Sequence, residues 1–253
     1  MTLGPRTRAA IYEGVVAAAG WGALVWLTLQ AGQALPVGGG LLFLAWAVAL
    51  KREGFRLAPL VTHSLAGVAQ LGAVVALGAL GGGWVAALGA SLFLVTRRDD
   101  GARLRLAAFA GGVGALLALG AGALYRALGG AVAPARLGWG DLGPLVAASV
   151  TWFLGDHLAW SVRIGLEEGW AGAGRFLRAI GLYSLAVELL PLPLAGVVAV
   201  NYRVLGLPSF VLFALFLLAV GEVLRHLNLT LNRARERVAD LSTLNALSRA
   251  LLA

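Results

Sequence analysis

The chain is a succession of apolar runs, each close to the length that crosses a bilayer, and this repetition restricts the fold more than any other feature. Eight runs can be drawn, at about 9 to 31, 35 to 50, 57 to 80, 82 to 96, 106 to 125, 144 to 165, 179 to 200 and 208 to 224. A spanning helix needs about 20 apolar residues. The second and fourth runs are short, so six or seven crossings remain open. Only 13% of the residues are charged and the mean hydropathy is +0.85, whereas about a quarter of a soluble domain is charged. The expected fold is all-α: a polytopic transmembrane helix bundle over residues 1–224, followed by a cytoplasmic amphipathic or coiled-coil helix over 225–253.

Basic residues accumulate on the cytoplasmic side of a membrane, which orients the bundle. With eight spans and the N-terminus inside, Arg6, Arg8, Lys51, Arg52, Arg56, Arg97, Arg98, Arg103, Arg105, Arg163, Arg175, Arg178 and the five arginines after Leu224 are cytoplasmic. Only Arg126, Arg136 and Arg203 fall outside. A missed helix would invert everything after it and destroy this asymmetry, so both termini are expected in the cytoplasm. The first run extends past signal-peptide length without a cleavage site, and the first helix is expected to stay.

The last segment, RHLNLTLNRARERVADLSTLNALSRALLA from Arg225, is the one long water-compatible stretch. Leu224, Leu227, Leu231, Ala234, Val238 and Leu241 recur at steps of three and four, the seam of a helix that pairs with a copy of itself. Asn228 and Arg235 lie outside that seam. After Leu241 the spacing shifts through Leu244, Leu247 and Leu251, a register change that locally unwinds or overwinds a coil. The plainer reading is an amphipathic helix lying on the membrane, although it lacks Trp or Phe as an anchor.

A net charge of +8 would point to nucleic acid in a soluble protein. Here the charges sit in short loops between spans, and no nucleic-acid partner is expected. All basic residues but Lys51 are Arg, which with the Ala, Gly and Leu richness reads as codon bias. Cysteine is absent, excluding disulfides and thiolate chemistry. There is no P-loop, GxGxxG, HExxH or GxSxG, so no catalytic residue and no cofactor is assigned.

Ionisable groups at membrane depth are costly unless paired, which makes each a functional candidate. The sixth run carries Asp156 and His157, and the seventh carries Glu188 just before Pro191 and Pro193, which should kink the helix. His63 and Gln70 are expected on the third span, two turns apart on one face. Three readings apply to this set: a polar core that holds the bundle together, a pocket for a small polar ligand or for protons, or a metal site. For the last, no HxxxH or HxxE pair places two ligands on one helix face, and no metal is assigned. Glu13 and Glu222 are expected to pair with Arg6, Arg8 or Arg225 at helix ends, and Glu167 and Glu168 to be solvated. Trp84, Tyr125, Trp139, Tyr202, Tyr12 and Trp170 read as interface anchors, and Pro59, Pro144 and Pro208 as first-turn prolines. Glycines inside the runs serve close helix packing. YRALG at Tyr125 and YRVLG at Tyr202 form a weak repeat, either a duplicated helix pair or two similar helix ends in which Gly is the C-cap.

RRDDGARLRLAAFAGGVGALLALGAGALYRALGG, VTWFLGDHLAWSVRIGLEEG, LPLAGVVAVNYRVLGLPSFVLFALFLLA and LSTLNALSRALL together resemble the N-terminal multi-span membrane sensor regions of bacterial signalling proteins, those that precede GAF, HD-GYP, diguanylate cyclase or histidine kinase domains. The resemblance covers most of the chain from Arg97 onward, and LSTLNALSRALL looks like the helix that enters such a module. It implies a sensory input module in a bacterial inner membrane, homodimeric through its C-terminal helix, which signals to an output domain beyond Ala253. Two other classes fit the residues: a membrane subunit of a small-molecule transporter, and an anchor or assembly protein that recruits a partner through the tail.

Overall fold

The computed structural model describes residues 4–32, 36–58, 61–96 and 103–251. In chain order these form α1 (Pro5–Ala31), α2 (Val37–Arg52), a hairpin of β1 (Phe55–Ala58) and β2 (Val61–His63), α3 (Ala66–Thr96), α4 (Arg103–Ala127), α5 (Trp139–Glu168), α6 (Trp170–Ser184), α7 (Leu194–Val200) and α8 (Gly206–Leu251). Single π-helical turns, Leu185–Leu189 and Asn201–Leu205, flank α7. Four stretches have the length and apolarity to cross a membrane: Pro5–Ala31, Ala66–Thr96, Leu104–Ala127 and Leu185–Leu231. The chain is a helical membrane protein.

Two of these long stretches are folded back on themselves at a glycine. Within α3, Gly78 has φ +82° and ψ 168°, a backbone region open essentially to glycine alone. The halves 66–77 and 79–96 then lie side by side, since a Cβ on Gly82 would fall 2.5 Å from the backbone nitrogen of Val74. Gly206, with φ +78° and ψ −178°, opens α8 in the same way, and Ser209 Oγ reaches back to Asn201 Oδ1 at 3.2 Å. Gly169 (φ +86°, ψ 162°) makes a third such reversal between α5 and α6. Both YRxLG segments end helices at a glycine of positive φ, Gly129 at +91° and Gly206 at +78°.

The third run is not helical throughout. Pro59 biases its predecessor away from the helical region and removes a backbone donor, and residues on either side pair as a hairpin, Phe55 opposite His63 and Arg56 opposite Thr62. The helix starts only at Ala66. His63 therefore sits on β2, not on the helix that carries Gln70. Pro59 itself, together with Arg97 and Arg98, lies outside the described residues.

The core is built by close backbone approach and by aromatic edges. A Cβ on Gly20 of α1 would fall 2.1 Å from the carbonyl oxygen of Gly112 in α4, the kind of contact that joins helices where burial of apolar surface supplies no driving force. Phe210 of α8 packs against Phe43 and Trp46 of α2, with ring centroids 4.9 and 5.4 Å apart, and Tyr202 completes the cluster. Of the expected anchors, Tyr125 is interior, and Trp84 and Tyr12 are half-buried with their polar atoms bonded inward. Tyr125 is 1% exposed and its hydroxyl donates to Ala131 O; Trp84 Nε1 donates to Thr28 Oγ1 and Tyr12 Oη to Ala159 O. Trp139 and Trp170 are open, at 90% and 68%. Pro144 stands inside α5, which begins earlier at Trp139, where Asp141 accepts the N–H of Gly138 at 2.7 Å.

Candidate functional site

Asp156, His157, Glu188 and Gln70 line one cavity of about 90 Å³, and His63 joins them through Glu188. The cavity is walled by the end of α2, the segment after β2, both halves of α3, α4, α5 and the π-helical turn before α7, and is lined by Lys51, Gln70, Trp152, Asp156, His157, Trp160 and Glu188 among others. A space of this size holds several waters or a ligand of a few heavy atoms.

Glu188 is placed by an irregular backbone. Leu190 N–H bonds back five residues to Leu185 O at 3.0 Å, and beyond Pro191 and Pro193 the bonds shorten to three residues, as from Leu194 N–H to Pro191 O at 2.9 Å. The prolines supply no N–H, so the helix widens before them and tightens after them. This brings the Glu188 carboxylate between two imidazoles. His63 Nδ1 lies 3.0 Å from Oε1 and His157 Nε2 3.4 Å from Oε2. His63 Nε2 faces Ser184 Oγ at 3.5 Å.

The protonation of the Glu188 and His157 pair follows from donors and acceptors. His157 Nδ1 is 2.7 Å from Phe153 O, and a carbonyl only accepts, so Nδ1 carries a hydrogen. A bare Nε2 lone pair against a carboxylate would be repulsive. A hydrogen bond across the 3.4 Å contact needs one proton between Nε2 and Glu188.

Asp156 precedes His157 on α5 and faces the same cavity, as does Trp160 one turn on. All five expected polar residues, Asp156, His157, Glu188, His63 and Gln70, are thus brought together. Lys51 was not among them: counted as a loop charge, it is half-buried at the end of α2 and lines the cavity, within electrostatic range of Asp156 and Glu188. Its ammonium stands 5.8 Å from the centroid of the Phe93 ring. The signal that marks it in the sequence is its being the one lysine beside nineteen arginines. Among the described residues no three His, Asp or Glu side chains are arranged to hold a metal ion.

Two ion clusters brace the surroundings. Glu13, 1% exposed, pairs with Arg163 of α5 at 2.7 Å and with Arg105 of α4, not with Arg6 or Arg8 as its place near a helix end implies. The partners come from helices distant in sequence, which proximity along the chain cannot reveal. Arg225 of α8 pairs with Glu222 at 2.8 Å and with Glu53, just past α2, at 3.2 Å. Hydrogen bonding to the neighbouring Glu222 carboxylate holds Glu53 above the usual carboxylate range. Glu167 and Glu168 reach Arg163 and Arg175 at 3.0 and 3.7 Å.

Along the last part of α8, Leu227, Leu231, Ala234, Val238 and Leu241 are all exposed. Asn228, which the heptad turns outward, is buried. The side chains of Arg235, Leu244, Leu247 and Leu251 lie outside the described residues. No protein family, curated protein or solved structure matches this chain.

Proposed function

We propose that the chain is a sensory input module of a bacterial inner membrane, crossing it eight times with both termini in the cytoplasm, and that it signals as a homodimer through its C-terminal helix to an output domain. The observation that carries this reading is the short path from cavity to tail. Lys51 lines the cavity, Glu53 follows two residues later, and Glu53 is ion-paired to Arg225 on α8. From Gly206 to Leu251 α8 is one helix of 46 residues, about 69 Å long at 1.5 Å per residue. That is more than twice a hydrocarbon core of about 30 Å, so roughly half of it projects beyond the bundle. A ligand that shifts the end of α2 moves the root of that lever. The exposed seam of α8 is then covered by the partner's copy.

The reversals at Gly78 and Gly206 support eight crossings, because each converts one long apolar stretch into two antiparallel segments. Non-helical backbone at membrane depth is tolerated where it lines a cavity or is buried in protein, and the hairpin and the π-helical turn both adjoin the cavity.

The broken helix around Glu188 also favours a second reading, a transporter subunit, since such folds bind substrate at interrupted helices. It leaves the exposed seam unexplained. Because the chain has no cysteine, disulfide crosslinking in membranes separates the two. Single cysteines at Leu227, Leu231, Ala234 and Val238 should give strong dimer bands, and those at Leu229 and Arg233, off the seam, weak ones. Uniformly weak crosslinking with uptake of a labelled solute would replace the sensory reading by the transporter.

A further inference from the structure

We infer that the cavity binds a small zwitterion, a short molecule bearing one amine and one carboxylate, with Lys51 taking the carboxylate and Asp156 the ammonium group. The inference deepens the sensory reading and rests on it only in taking this cavity as the input site.

Charge balance leads to this class of ligand. The formal charges of Lys51 and Asp156 cancel, and Glu188 is flanked by the imidazoles of His63 at 3.0 Å and His157 at 3.4 Å. With one proton shared between Glu188 and His157, the site carries no net charge. In a membrane-embedded cavity, an added net charge costs several kcal/mol, so a lone cation or anion is disfavoured against a ligand that is neutral overall. A neutral ligand without charges, in turn, would leave the Lys51 ammonium and the Asp156 carboxylate without full partners.

Geometry supplies the second, independent observation. Both charges face the one cavity, yet among the described residues no ion pair joins Lys51 to Asp156 or to Glu188. Opposite charges free to meet in a low-dielectric site would close on each other. Here the Lys51 ammonium stands 5.8 Å from the Phe93 ring centroid and Asp156 lies one turn before Trp160, and no ion pair among the described residues closes the gap between the two charges. A molecule with an amine at one end and a carboxylate at the other fills that gap and completes both pairs. Trp152 and Trp160 line the same cavity.

The test uses the full chain in lipid nanodiscs, with tryptophan fluorescence as the binding signal and the ω-amino acids glycine, β-alanine and γ-aminobutyrate as probes, which differ in charge separation. Methylamine and acetate serve as the two halves. At least one zwitterion should bind about tenfold or more tighter than either half, a difference of about 1.4 kcal/mol. Lys51→Met and Asp156→Asn should each remove that advantage, while Lys51→Arg and Asp156→Glu, which keep the charges, should retain part of it and report on folding. The inference is overturned if no probe binds at about 10 mM, if methylamine binds as well as the zwitterions, or if folded Lys51→Met binds unchanged. None of these outcomes touches the crosslinking pattern of the tail, so the sensory reading stands or falls separately.

Discussion

At the scale of single residues, the side chains that matter most are those whose partners come from other helices. Glu13 is the clearest case, a carboxylate closed off from water and held by Arg105 and Arg163. Removing both arginines leaves an uncompensated buried charge, and the double variant Arg105→Met with Arg163→Met should lose about 3–5 kcal/mol of stability. Glu13→Gln should cost less, about 1–3 kcal/mol, because the arginines it releases lie nearer to solvent. Thermal unfolding in detergent measures both, and an unchanged midpoint for the double variant would show that the triad does not hold α1 to α4 and α5. Lys51 makes the same point for function. In sequence it is one more cytoplasmic charge, and only the path of α2 turns it into the cavity.

Among the elements, glycine sets where helices stop. Gly78 has open space around its Cβ position, the nearest side-chain atom being Val132 Cγ1 at 3.8 Å, so Gly78→Ala costs conformation and not packing. The expected loss is about 1–3 kcal/mol. Gly22→Ala in α1, where nothing lies within 4 Å, should be neutral or stabilising by up to about 1 kcal/mol through helix propensity. Equal effects of the two substitutions on the unfolding midpoint would mean that the reversal at Gly78 carries no strain that glycine relieves. The hairpin of β1 and β2 is the other element that decides the site. It delivers His63 to Glu188 from outside the helices and sets Glu53, at its root, against Arg225.

For the whole molecule, the proposed orientation makes a prediction independent of the cavity. A cysteine at Arg6 should react with a membrane-impermeant maleimide only after cells are opened, and one at Arg136, in the segment between α4 and α5, should react in intact cells. Labelling of both from the same side would break the eight-crossing arrangement, whatever the tail does.

Apolar run length and the sparseness of charge were enough to determine a helical membrane protein, because backbone groups in hydrocarbon have to be satisfied within the spanning segment. The cost of ionisable groups in such runs singled out Asp156, His157 and Glu188 for the same reason. Tertiary structure alone decided the rest. The hairpin around Pro59 overrode an apolar run that reads as helix, since hydropathy reports partition between phases and not backbone conformation. The partners of Glu13, the inward turn of Tyr125 and Tyr12, the burial of Asn228 and the place of Lys51 on the same cavity as Asp156 all depend on which helices touch. Contacts between residues some ninety positions apart are set by the packing of small residues across helix faces, as at Gly20 and Gly112. A linear pattern with glycine in nearly every span cannot distinguish those faces from one another.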